Sequence, residues 1–155
     1  MPSSSSLTAV LLLLACGATP KVTDGGSVSP GTTQPELQAF AESGAYTGWK
    51  AEPAAHTSAG PHGEVRTFVN DTLYTSMKAG NTTHPNGSVA VKELYSGGSI
   101  SGWAVDVKRD DGQWVFYEGF KPALNQYYFV GGGNLCANCH QGGVDFVLLL
   151  ASALP

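Results

Sequence analysis

Near the end of the chain, Cys136-Ala137-Asn138-Cys139-His140 sets two thiols three positions apart and an imidazole directly after the second. No other stretch constrains the chain so tightly. Each thiol can add to a haem vinyl group, and the histidine then lies close enough to place a nitrogen on the iron. The C-x-x-C-H spacing therefore reads as c-type haem attachment, with His140 as the proximal ligand. A haem would also add apolar surface to whatever core the rest of the chain builds. Two other readings of the thiols compete. A redox dithiol leaves the adjacent histidine without a task and lacks a βαβ setting. Structural zinc needs a second Cys/His pair at ligand spacing, and His56, His62 and His84 are scattered.

At 155 residues one domain is expected. Hydrophobic residues make up 42%, enough for a core, while charged residues are only 13% and Gly numbers 20. That balance suits a turn-rich compact domain and excludes a coiled coil or a charged disordered chain. A net charge of −4 and a pI near 5.4 argue against nucleic acid or an anionic membrane surface as an electrostatic partner.

The N-terminus reads as an export signal. The apolar run from Leu7 to Ala15 is too short to span a bilayer, and Leu13-Leu14-Ala15-Cys16 has the pattern of a bacterial lipoprotein cleavage site. The expected organisation is a signal peptide over 1–15, a lipidated Cys16 with a flexible linker over 16–33, and a haem domain over 34–155. Met1 to Ser6 departs from the pattern in carrying no Lys or Arg, which a misassigned start codon would explain. The cysteines are then all assigned: Cys16 to lipid, Cys136 and Cys139 to haem. The expected location is the bacterial periplasm, with the lipid as membrane anchor or, alternatively, secretion.

Within the domain, a helix is expected from Pro35, a good first-turn residue, to Gly44, with Leu37, Phe40 and Ala41 on one face. Glu52 to Gly63 reads as irregular. Glu64 to Asn70 alternates as a strand, Val65, Thr67 and Val69 on one face and Arg66 and Phe68 on the other. Asp71 is placed to cap a short helix carrying Leu73 and Met77 and closed by Gly80. Further strands follow over Ser88 to Tyr95, Ser101 to Arg109 and Gln113 to Phe120. The last two are joined by the hairpin signal Asp110-Asp111-Gly112. A short apolar stretch, Gln126 to Val130, leads into the haem motif. The fold class expected is α+β, mainly β: an antiparallel meander with two or three short helices.

Four stretches in this order carry a resemblance to a known family: Gly63 to Asp71, Asn86 to Leu94, Trp114-Val115-Phe116-Tyr117, and the haem motif followed by Asp145-Phe146-Val147. The second is similar to a D-G-[ST]-V-x-V-K-E pattern. Together they resemble the cytochrome P-460 family and its cytochrome c′-beta relatives, over roughly Gly63 to Val147 on a single-domain reading. The resemblance implies a homodimer of antiparallel sheets and a five-coordinate haem c with an open distal side. In hydroxylamine-oxidising members a lysine is joined covalently to the porphyrin edge, and Lys92 stands at the matching position. The c′-beta members lack that chemistry and bind nitric oxide in an apolar pocket.

On this basis the leading function is oxidation of hydroxylamine or a related small nitrogen species, with Lys92 as the cross-linking residue and a cytochrome c as a suitable redox partner. Arg66 and Glu93 are candidates for orienting substrate and transferring protons, and Phe68 and Phe116 for walling the distal side. The plainer alternatives are a Lys92 that snorkels to solvent, surface charges at Arg66 and Glu93, and core aromatics at Phe68 and Phe116. Two other functions stay open: a non-catalytic nitric oxide binder, and an electron-transfer cytochrome. The latter requires a sixth iron ligand from Met77, His62 or His84. A scaffolding lipoprotein without haem is the remaining class.

Overall fold

A computed structural model describes residues 21–22, 28–124 and 126–155; Cys16, the leader and most of the linker lie outside the described residues. Two short strands, β1 (Lys21–Val22) and β2 (Val28–Ser29), pair antiparallel ahead of the main sheet. Helix α1 (Gln34–Ser43) follows, with Pro35 in its first turn and the Glu36 carboxylate accepting from the Thr33 backbone N–H at 3.0 Å. It stops at Gly44, whose φ of 68° is left-handed and favours glycine.

The body is a seven-stranded sheet formed by β3 (Lys50–Ala51), β4 (His56–Thr57), β5 (Glu64–Val69), β6 (Val89–Ser96), β7 (Ser99–Lys108), β8 (Trp114–Phe120) and β9 (Tyr127–Val130). All pairings are antiparallel; β5 to β9 form a consecutive meander, and β3 and β4 share the outer edge of β5. The expected mainly β class with short helices is what the chain adopts. Helix α2 (Asp71–Lys78) bridges β5 and β6, and α3 (Leu135–His140) carries the Cys-x-x-Cys-His motif. Two local expectations are corrected. The cap of α2 is Asn70, whose side-chain oxygen accepts from the Leu73 N–H at 3.0 Å, with Asp71 already inside the helix. The segment expected to be irregular contains β4, which forms a hairpin with β5 closed by Ser58 N–H donating to the Gly63 carbonyl at 2.7 Å.

The register assigns every strand residue to one of two faces, since residues directly opposite across antiparallel strands project to the same side. One face presents Phe68, Val91, Trp103, Val105 and Tyr117, and α1 packs Leu37, Phe40 and Ala41 against it. The other presents Val69, Ala90, Trp114 and Phe116, covered by Leu73 and Met77 of α2, Ala137 of α3, and Val147 and Leu154 of the C-terminal segment. Two apolar cores therefore sandwich one sheet. α3 belongs to the second.

Candidate haem site

Along the second face, the register aligns Thr67, Lys92, Ala104 and Glu118 in one row across four strands. Small side chains at Ala90, Thr67 and Ala104 leave a depression there. The hairpin loop between β4 and β5 closes one side and Val147 to Leu149 the other, enclosing a cleft of about 420 Å³. Cys139 and His140 line it from α3, and Lys92 and Asp106 from the sheet. Its size falls within the range of about 300–1,000 Å³ usual for cofactor and small-molecule sites.

The sequence places the motif in a helix because Asn134 caps it, its side chain accepting the Ala137 N–H at 2.9 Å. His140 is buried, and its Nδ1 lies 2.9 Å from the Phe146 carbonyl and 3.5 Å from Asp106 Oδ2. A carbonyl only accepts, so Nδ1 carries the proton and Nε2 keeps a lone pair for a metal. The carbonyl reaches Nδ1 because the chain reverses at Asp145 and Phe146, both left-handed with φ of 45° and 68°. A buried ion pair secures that reversal: Lys108 Nζ lies 2.6 Å from Asp145 Oδ2, and the His84 N–H donates to the same oxygen at 2.8 Å. Burial raises the Asp145 carboxyl, but the bonds from Lys108 and His84 outweigh it and hold the group below its ordinary range.

The thiols discriminate between readings. Burial, then the carboxylates of Asp106 and Glu118, push the Cys136 thiol up to about 11. A redox Cys-x-x-Cys pair needs a lowered thiol and a ready thiolate; this environment does the opposite. Cys139 and an imidazole with a free Nε2 line an apolar cleft, with Cys136 on the same short helix packed against the adjoining core, a donor set that fits haem c.

The expected site residues divide by face. Lys92 joins Cys139 and His140 at the cleft, and among the described residues its amine forms no ion pair or hydrogen bond. Phe116 lies on the same face but packs edge-on against His140 itself, ring centres 5.3 Å apart, so it supports that imidazole instead of walling the side opposite it. Arg66, Phe68 and Glu93 project from the other face, a correction to their expected place in the pocket. Phe68 packs on Tyr46 with centroids 5.1 Å apart, and Arg66 lies over Phe68 and donates from Nε to the Glu52 carbonyl at 2.9 Å. Glu93 is buried and accepts from the hydroxyls of Tyr46 and Tyr95.

Other residues reach the cleft that the sequence reading passed over. Glu52 is buried on its rim, held by the Thr67 N–H at 2.7 Å and by His56 Nε2 at 2.8 Å. Glu118 stands behind a lining residue and not at the cleft itself, its Oε2 3.0 Å from His62 Nδ1. A signal for Glu118 exists in the alternation Trp114-x-Phe116-x-Glu118, a carboxylate on the buried side of an apolar strand. Of the three conventional sixth ligands, only His62 lines the cleft. Met77 packs with Leu73 in the core, and His84 sits behind the Lys108–Asp145 pair with Ser76 Oγ on its Nδ1 at 2.9 Å. Compared with known protein families and with curated proteins, the chain matches none.

Proposed function

We propose that this chain is an exported c-type haem protein acting in the redox chemistry of small nitrogen species, with hydroxylamine as the leading substrate. The observation that carries the reading is the convergence of Lys92, Cys139 and His140 on one cleft, from a central strand and the terminal helix. Cys136 and Cys139 would hold the group through thioethers, and His140 Nε2 would bind its iron. Haem supplies one-electron steps and a coordination position for a small ligand.

The residues do the rest. Phe146 and Asp106 fix the proximal imidazole in one tautomer and strengthen it as a donor. Val65, Ala90, Ala104 and Leu148 give the cleft apolar walls that exclude water. The carboxylate of Glu52 borders it and is placed to accept protons a nitrogen substrate gives up, and Glu118 stands behind the lining imidazole of His62. Lys92, whose amine has no hydrogen-bond or ion-pair partner among the described residues, would be the residue to join the porphyrin edge, its nitrogen replacing a ring hydrogen while two protons are lost and two electrons pass to an external oxidant. Electrons leave to an external redox protein such as a cytochrome c. The homodimer and the lipid anchor at Cys16 belong to this reading through the resemblance and the leader pattern.

A nitric oxide binder would use the same cleft with Lys92 unlinked, and mass spectrometry separates the two. Tryptic digestion of the haem-containing protein is expected to yield a peptide spanning Lys92 that travels with the haem peptide, and Lys92→Ala is expected to keep haem but lose hydroxylamine oxidation. A free Lys92 peptide would move the assignment to the gas binder. A colourless protein from cells equipped for haem ligation would remove the haem reading altogether.

A further inference from the structure

His62 sits near the end of the β4–β5 hairpin loop, a hairpin whose closure at Ser58 and Gly63 fixes where the imidazole goes. Its ring centre lies 6.4 Å from that of His140, with the ring planes at 84°. Two imidazoles on opposite sides of one metal ion, with metal–nitrogen bonds of about 2.0–2.1 Å, have ring centres about 6.3 Å apart. The side chains also share a polarity. His140 Nδ1 is taken by a carbonyl with a carboxylate nearby, and His62 Nδ1 faces the Glu118 carboxylate at 3.0 Å, an ion-pair contact whose angle falls short of a hydrogen bond. In both, Nε2 has no hydrogen bond among the described residues. An oxygen acceptor behind Nδ1 and an unengaged Nε2 is the pattern of a metal-ligating histidine.

We infer that His62 is the second axial ligand of the haem iron, so that the resting centre is six-coordinate and a small nitrogenous guest binds only when the hairpin loop withdraws the imidazole. The inference rests on the haem reading above and adds a gate to it. Glu118 acts as a positioning residue: its carboxylate faces Nδ1 at 3.0 Å and so turns Nε2 toward the iron. The β4–β5 loop, flanked by Gly60 and Gly63 and tied to the sheet at its base, is the part that moves.

The test uses holoprotein matured with haem-ligation machinery. Optical and EPR spectra of the wild type are expected to be low-spin, and pulsed EPR to detect two axial histidine nitrogens. His62→Ala is expected to turn high-spin, with free imidazole restoring the low-spin spectrum. Carbon monoxide should then bind the ferrous variant about tenfold tighter or more, since a guest's apparent affinity falls with the fraction of competent sites. Glu118→Gln should give a mixture of spin states. A wild type that is coloured but high-spin would overturn the inference and leave the haem reading standing. So would a low-spin spectrum that survives His62→Ala or is lost in Met77→Leu. Colourless wild type would instead overturn the haem reading itself.

Discussion

Lys108 shows how one buried cation is connected to His140, the histidine of the Cys-x-x-Cys-His motif, two contacts away. Its ammonium meets Asp145 at 2.6 Å and the His84 carbonyl at 2.8 Å, and Asp145 begins the reversal that presents the Phe146 carbonyl to His140. Removing one partner of such a pair strands the other without compensation. Lys108→Met is expected to cost about 3–5 kcal/mol in urea unfolding at neutral pH. Because the folded Asp145 carboxyl sits below its ordinary value of 3.8, its contribution is fully present above that pH and fades as pH falls through the lowered value. The difference between wild type and variant should therefore narrow on acidification below about pH 4. A gap of constant size across that range would show that Asp145 is not the group responsible. At this scale the Cys-x-x-Cys-His motif was legible because it is written in five consecutive residues, and Cys139 and His140 do meet at one cleft. Arg66, Phe68 and Glu93 were misplaced for a geometric reason. Lys92 and Glu93 are neighbours on one strand, so only one of them can face the cleft, and period-two alternation does not say which face will carry a cofactor.

Among the elements, the reversal after α3 is the least tolerant of change. Gly143 approaches the Val147 carbonyl so closely that a Cβ there would lie 2.2 Å from the oxygen, and Val144 and Val147 exchange backbone bonds across the same turn. Gly143→Ala is expected to open the turn and release His140 Nδ1 from the Phe146 carbonyl. On the haem reading, the readout is the iron–His140 stretch in resonance Raman spectra of the ferrous protein in a His62→Ala background, where the iron is five-coordinate, and it should fall as the imidazole loses its acceptor. An unchanged stretch would mean the turn bends elsewhere. The longer strands and α1 followed from alternation, from Pro35 and Gly44, and from the Asp-Gly turn. β3 and β4 escaped because two residues carry no periodicity, and their existence depends on pairing with β5. His62 owes its position to that pairing, so the loop's role could not be read before the hairpin was known.

The whole molecule is two cores separated by a sheet, and only one of them touches the cleft. The core under α1 draws on Leu37, Phe40, Trp103 and Tyr117 with no residue of the Cys-x-x-Cys-His motif, whereas the other includes Ala137, Phe116 and Val147. A Cys136→Ala/Cys139→Ala double variant is therefore expected to keep its far-ultraviolet β signal while limited proteolysis cuts within 141–155. Loss of the β signal as well would show that the two cores fold only as one unit. No helix among the described residues is long and apolar enough to cross a membrane. Among the described residues, the most exposed large apolar side chains, Leu135, Val144, Leu148 and Leu150, lie on α3 and the tail that follows it and not over the α1 face.

The motif at 136–140 follows every strand of the sheet. On the proposed haem reading, every strand precedes the two thiols in the chain, so ligation would act on a tail that can stay undocked while the sheet forms. The docking of α3 and the closing segment would then be the last event of maturation, and a chain truncated just short of Cys136 is expected to give a folded shell that takes up no pigment.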